Sequence, residues 1–437
     1  MEMTTRVQLS VMMFLQFFIW GAWVVTAATY LFAIGFTGEQ VGWAYSTTAW
    51  AAIVSPFFIG MVADRFFPAQ IVMGVLHLLG AVLMFAASMV VEPALFIPIL
   101  LAYALCYMPT LALVNAVSFN QMTDVGTQFP AIRVFGTLGW ITAGLGMGAL
   151  GLLLGRATEE AFVIDATAIP LRIAAGASLL MGLYSFTLPH TPPKGRHEKV
   201  TVRDILGLDA LSLMKSRSFA VFVIASLLLC IPLASYYAGA NAFLNEIGMT
   251  NVVAKMTMGQ MSEVVFMLVI PLLLPILGFK RMLMIGMAAW VLRYILFAYG
   301  DVGSPLVIML YTGILLHGVC FDFFFVTGQI YVDKKAPEAI RASAQGFIAL
   351  VTYGAGMAIG SVFFGRVADM YAITEVVDGV EEVVGHDWTT IWLIPAGMAL
   401  IILVLFTLLF NDTSDDPEPA VDPAELEAER EDAPTGA

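Results

Sequence analysis

Long apolar stretches separated by short polar breaks run along the chain from Val7 to Phe410. Within each stretch the apolar residues are continuous and lack the alternation expected of a strand in a membrane barrel. A helix that crosses a bilayer takes about 20 such residues. The stretches predict twelve spans, near 9–34, 40–62, 69–91, 93–118, 131–154, 168–189, 218–246, 256–277, 281–300, 304–332, 341–367 and 388–410. The first stretch continues through Trp23 and Tyr30 and reads as a span, not as a cleaved leader. The longest interior polar segment parts six spans from six. The expected organisation is a six-helix bundle over 1–189, an inter-bundle loop over 190–217, a second six-helix bundle over 218–411 and a tail over 412–437.

Two sixes invite a search for a repeat. Tyr30-Leu-Phe-Ala-Ile-Gly-Phe-Thr37 matches Phe243-Leu-Asn-Glu-Ile-Gly-Met-Thr250 at an offset of 213. Pro130-Ala-Ile-Arg133 parallels Glu338-Ala-Ile-Arg341 at 208, and the GLGMGALG run from Gly144 parallels GAGMAIGS from Gly354 at 210. Three matches in one order at a near-constant offset predict an all-α integral membrane protein. Its twelve transmembrane helices form two pseudo-symmetric six-helix bundles, the major facilitator architecture, with its site between the halves. Gly60-Met-Val-Ala-Asp64-Arg65, after span two, resembles the G-x-x-x-D-R/K signature that such proteins carry there. We read Gly60, Asp64 and Arg65 as a gating motif, with Asp64 meeting the positive end of a neighbouring helix.

Composition agrees. Of 437 residues, 60% are hydrophobic and 12% charged, with a mean hydropathy of +0.88. That excludes a soluble enzyme, a disordered chain and a nucleic-acid binder. The net charge of −13 is mostly local: residues 412–437 carry ten acids against Arg430 and read as a disordered acidic tail. Fifteen Lys and Arg fall on the side of the N-terminus and four on the other. This bias predicts both termini and the central loop in the cytoplasm. Cys106, Cys230 and Cys320 lie inside apolar runs, in neither metal-like nor disulfide-like spacing.

A charge at the centre of a spanning helix costs at least about 2.5–3.5 kcal/mol, so it persists where it works or is paired. Glu263 on span eight shares a helix face with Gln260, three residues away. Asp322 on span ten stands amid Phe321, Phe323, Phe324 and Phe325, and a carboxyl poised there between charged and neutral forms can carry a proton. Some of those rings are expected to face lipid. His317 and Phe321, four apart, offer a hydrogen-bonding ring and a stacking ring on one face. Arg133, Thr137 and Trp140 form a stripe of cation, hydroxyl and indole on span five that suits a polar aromatic ligand, although Arg133 also fits a headgroup position. His77 reads as a satisfied core residue and Arg293 as a snorkelling or acid-paired one. Gln16, Trp20 and Trp23 share a face that fits a cavity wall. No phosphate loop, Ser/His/Asp set, metal cluster or dinucleotide fingerprint is present, so the chain reads as no enzyme, without cofactor, its transport driven by a gradient.

At these residues the sequence resembles the bacterial nucleoside:proton symporters of the major facilitator superfamily, the nucleoside and xanthosine permeases. The resemblance spans about residues 6–411. It is carried by FLQFFIWGAW (14–23), CYMPT (106–110), FPAIRVFGT (129–137), LGLDAL (206–211), GQMSE (259–263), FAYGD (297–301), CFDFF (320–324) and IRASAQG (340–346). It implies a permease of the bacterial inner membrane that takes up nucleosides with protons; we expect a monomer that works by alternating access. Carried over by motif, Arg133, Thr137, Gln260, Glu263, Phe321 and Asp322 would line the substrate site, with Glu263 and Asp322 as the essential carboxylates; the shared helix faces add Trp140 and His317 to our reading of it. Three positions depart from the family pattern. His317 stands where Tyr is usual and Trp140 where Phe is usual. Ala234 and Tyr237 stand where the seventh span usually supplies Gln and Asn. A sugar:proton symporter of the same fold and a non-translocating receptor are the competing readings.

Overall fold

In hydrocarbon every backbone N–H and C=O must be satisfied within the segment, so continuous apolar runs become helices. The computed structural model describes residues 2–58, 66–158, 162–193, 208–377 and 380–411. Span one is α1 (Met3–Trp23) and α2 (Ala27–Ala33), and spans two to six are α3 (Gly38–Phe58), α4 (Ala69–Ala87), α5 (Pro93–Asn120), α6 (Val125–Thr158) and α7 (Ile169–Ser185). Spans seven to nine are α8 (Arg217–Glu246) and α9 (Val252–Tyr299). Span ten is α10 (Val307–Leu315), α11 (His317–Phe321), a π-helical turn Asp322–Val326 and α12 (Thr327–Lys335). Span eleven is α13 (Arg341–Ala349), a π-helical stretch Leu350–Gly356 and α14 (Met357–Met370). Span twelve is α15 (Trp388–Leu409).

Nine helices among the described residues meet the length and hydropathy of a membrane span. One of them, α9, runs for 48 residues and is two spans joined at Gly278, whose φ of 72° breaks the helix where the sequence pattern places a loop. With α3 and the shorter α7 the described helices make twelve spans. The repeat is also visible in the backbone. Gly35 and Gly248, equivalent in the first repeat match, end their helices with φ of 88° and 86°. That left-handed conformation is open to glycine without the steric cost a side chain would add.

One element is absent from the sequence reading. Between α14 and α15 the chain forms an antiparallel hairpin, β1 (Ala372–Val377) on β2 (Val380–His386). Asp387 then caps α15, accepting from the Thr390 N–H at 3.2 Å and the Thr390 hydroxyl at 2.6 Å. These bonds hold its carboxyl below the usual carboxylate range. The hairpin is tied back to span seven: Glu246 accepts from the His386 backbone at 2.7 Å and meets the His386 Nδ1 at 2.8 Å.

The first six spans meet the last six where α3 packs on α14, α6 on α9 and α2 on α8. At the hairpin end this seam is polar. The Asp369 carboxylate accepts from the Gly38 and Glu39 N–H groups at the start of α3, the latter at 2.7 Å. Arg366 reaches Glu39 at 3.2 Å. Thr29 donates to Asn241, while Asn241 and Asn245 donate to Asp165 at 3.0 and 3.1 Å. Burial pushes the Asp165 carboxyl above the usual range, and those two amides pull it part of the way back. Among the described residues, every hydrogen bond between the first six spans and the last six lies at this end. Gly60, Asp64 and Arg65, the loop segment 194–207 and the tail 412–437 lie outside the described residues.

Candidate functional site

The stripe on α6 forms as the spacing requires. Arg133, Thr137 and Trp140 are all half-buried, and the Arg133 guanidinium lies 4.2 Å over the Phe17 ring of α1. Arg133 is therefore held against protein at the seam. Trp140 sits 6.0 Å from Trp20 and opens into a cleft between the halves that Tyr237, Met256, Thr257 and Gln260 also line.

Across the cleft α9 presents Gln260 and Glu263. The Glu263 side chain is 22% exposed, and its Oε2 lies 3.7 Å from the His317 Nε2. It is close enough to both Arg133 and Asp322 for their charges to interact. His317, at the start of α11, is buried, stacks on Tyr236 at 5.3 Å and on Phe321 at 6.0 Å, and meets the edge of Tyr237 at 6.3 Å. Asp322 opens the π-helical turn. It is fully buried, and neither of its oxygens finds a hydrogen-bond partner among the described residues.

The residues singled out on spans five, eight and ten thus converge on one seam. Phe323, Phe324 and Phe325 do not face lipid, contrary to the expectation for that run. They are buried against Phe266, Phe222 and Tyr353, because spans eight, seven and eleven surround span ten at this level. Gln16 is not a cavity wall either. Its amide donates to Thr110 at 2.8 Å and its carbonyl oxygen meets the His77 Nε2 at 2.9 Å, while the His77 Nδ1 pairs with Ser178 at 3.2 Å. His77 is the satisfied core residue that the sequence suggests. Trp23 is buried, edge-on to Tyr103. Arg293 is fully buried with no acidic partner in ion-pair reach among the described residues, so it neither snorkels nor pairs with an acid. Tyr236 and Thr257 join the site without any sequence signal, since an aromatic or a hydroxyl within an apolar run is ordinary packing material. Tyr237 was marked only by the family pattern.

Chemically, the seam offers aromatic faces, a cation, amide and imidazole groups, and two carboxyls withdrawn from water. Repeated sixes of spans with polar side chains gathered at their junction define a membrane transporter of the major facilitator fold. More particularly, the chain belongs to the nucleoside H+ symporter family, whose model matches residues 3–415. It is 44% identical over 416 residues to the putative nucleoside transporter YegT of Escherichia coli (strain K12), covering 95% of this chain and 96% of that one. The xanthosine permease of the same organism is 36% identical over 431 residues, covering 95% and 98%. The crystal structure of the nucleoside transporter NupG superposes with a TM-score of 0.82 at 33% identity, over 94% of this chain and all of that one. These relatives are permeases and transporters, not enzymes, and the chain is a multi-pass membrane protein.

Proposed function

We propose that this chain imports nucleosides together with protons. Two bundles, 1–189 and 218–411, rock about the central seam, joined by the loop 190–217 and followed by the tail 412–437. Trp140 and Phe321 stack the base. Arg133, Thr137, Gln260 and His317 supply hydrogen bonds. Glu263 and Asp322 bind ribose or base donors, and Asp322 carries the coupled proton. The motif Gly60, Asp64 and Arg65 gates the mouth on the side of the termini. The chain works as a monomer in the bacterial inner membrane with both termini in the cytoplasm, and it takes no cofactor beyond the proton gradient.

The observation that carries this reading is Asp322: a fully buried carboxyl, both oxygens without a hydrogen-bond partner among the described residues, within electrostatic reach of Glu263. A permanently charged group would be costly there, whereas one that gains and loses a proton during a cycle is at home. The ties at the hairpin end support an alternating seam, since among the described residues the hydrogen bonds between the halves lie on that side.

The test uses the whole protein in proteoliposomes with an inward proton gradient. Labelled uridine is expected to accumulate, a protonophore to abolish accumulation, and excess unlabelled uridine but not a disaccharide to block it. Competition by the disaccharide would favour a sugar symporter. Uridine binding without accumulation would make the protein a receptor.

A further inference from the structure

Span ten is not one helix. It ends as α10 at Leu315 and restarts as α11 at His317. Two residues from other spans take up the backbone groups at this break. The Gly318 N–H donates to the Ser262 hydroxyl of span eight at 3.0 Å. On the carbonyl side, Arg293 of span nine donates from Nε to the Gly313 carbonyl at 2.8 Å and from Nη2 to that of Ile314 at 3.5 Å.

Arg293 is an expensive choice for filling space. It is fully buried, and its guanidinium lies 3.9 Å over the Tyr236 ring and 4.9 Å over that of Trp290. Tyr236 in turn stacks on His317, whose Nε2 faces Glu263. The guanidinium therefore acts on His317 twice. It binds the carbonyls just before His317 in the chain, and it holds the ring on which the imidazole lies. Only a planar fork does both: a lysine ammonium has the charge but not the geometry.

We propose that Arg293 is a positioning residue of the central site. It holds span ten broken at Leu316 and so sets the His317 ring against Glu263, without itself touching the cargo. Ser262 holds the other lip of the break. The inference rests on the proposed role of His317 and Glu263 in binding the nucleoside.

The experiment is a double-mutant cycle on uridine uptake by the reconstituted full chain. Arg293→Met, Arg293→Lys and Ser262→Ala are each measured in the wild-type and in a His317→Ala background. Arg293→Met is expected to raise the uridine KM about tenfold while the maximal rate falls less than about threefold. Arg293→Lys should restore only part of this loss, and Ser262→Ala should raise KM about threefold. In the His317→Ala background each substitution should add less than about twofold, because the group being positioned is gone. Equal losses in both backgrounds, or an unchanged KM in the wild-type background, would overturn the proposal. If Arg293→Met does not fold, the Ser262→Ala cycle decides by the same criterion. A wild-type protein that accumulates no uridine, or a His317→Ala variant with unaltered KM, would instead sink the underlying reading of the site, and this proposal with it.

Discussion

Two buried polar clusters, one in each half, are satisfied in opposite ways. In the first six spans Gln16, His77, Thr110 and Ser178 satisfy one another across four helices, and the Tyr107 hydroxyl joins the set by donating to the Gln16 backbone carbonyl at 2.6 Å. In the last six, atoms of Arg293, His317 and Asp322 remain without partners among the described residues. A buried donor or acceptor left unpaired costs about 1–3 kcal/mol. The Gln16–His77 network therefore serves the architecture of the first half, while on the proposed reading the unpaired groups around Asp322 are held ready for cargo and proton. Pseudo-symmetry of the backbone does not extend to the chemistry it carries.

The difference is sharpest at Asp322. Asp322→Asn is expected to remove gradient-driven uridine accumulation, by about 100-fold or more, while the protein still folds and still exchanges substrate across the membrane. Counterflow measured beside proton-driven uptake separates the two activities. Full accumulation in the variant would erase the contrast between the halves.

The matching change in the first half should act on stability instead. His77→Ala strands Gln16 and is expected to cost about 1–3 kcal/mol, lowering the melting temperature in detergent while uridine KM stays unchanged. Replacing Gln16 and His77 together by leucine should recover most of that loss, because Thr110 and Ser178 keep backbone acceptors at Tyr107 and His77. A loss of transport without a loss of stability would mean that this network, too, serves the cargo.

The smallest effect is expected where the halves touch. The folded structure raises the Asp165 carboxyl above its unfolded value, so its contribution to stability is greatest at low pH and is lost as pH rises through the raised range. Asp165→Asn removes that titration. Its melting temperature relative to wild type should therefore climb as pH rises from the ordinary carboxylate range through the raised one. A difference that falls over this interval would show that the carboxylate is the stabilising form.

Most of the fold was legible because a bilayer demands one thing of a spanning segment, and the apolar runs supply it. The predicted span 388–410 meets α15 at Trp388–Leu409, and 218–246 meets α8 at Arg217–Glu246. Where the sequence reading fell short, the helices stop being regular. Periodicity assumes an unbroken ladder, so it gives no sign of the break at Leu316 or of the π-helical turns. Nor does it show that neighbouring spans enclose Phe323, Phe324 and Phe325, some of which were expected to face lipid. The hairpin had a local signal in Asp378-Gly379 between β-branched residues, which goes unnoticed in a chain read for spans. At the site, the cost of a charge in hydrocarbon singled out Glu263 and Asp322. The same argument picked out Arg293 without showing what it holds, because its partners are backbone carbonyls and rings rather than an acid.

The junction of Asp369 with the start of α3 has a mechanical meaning. A carboxylate against a helix N-terminus, flanked by the exposed Arg366–Glu39 pair, gains little that water would not return once the contact opens. Such a fastening sets alignment while it is closed and releases cheaply. On the proposed alternating-access cycle the same two surfaces part at every turnover, and a weak clasp at the rim serves such a cycle better than a strong one.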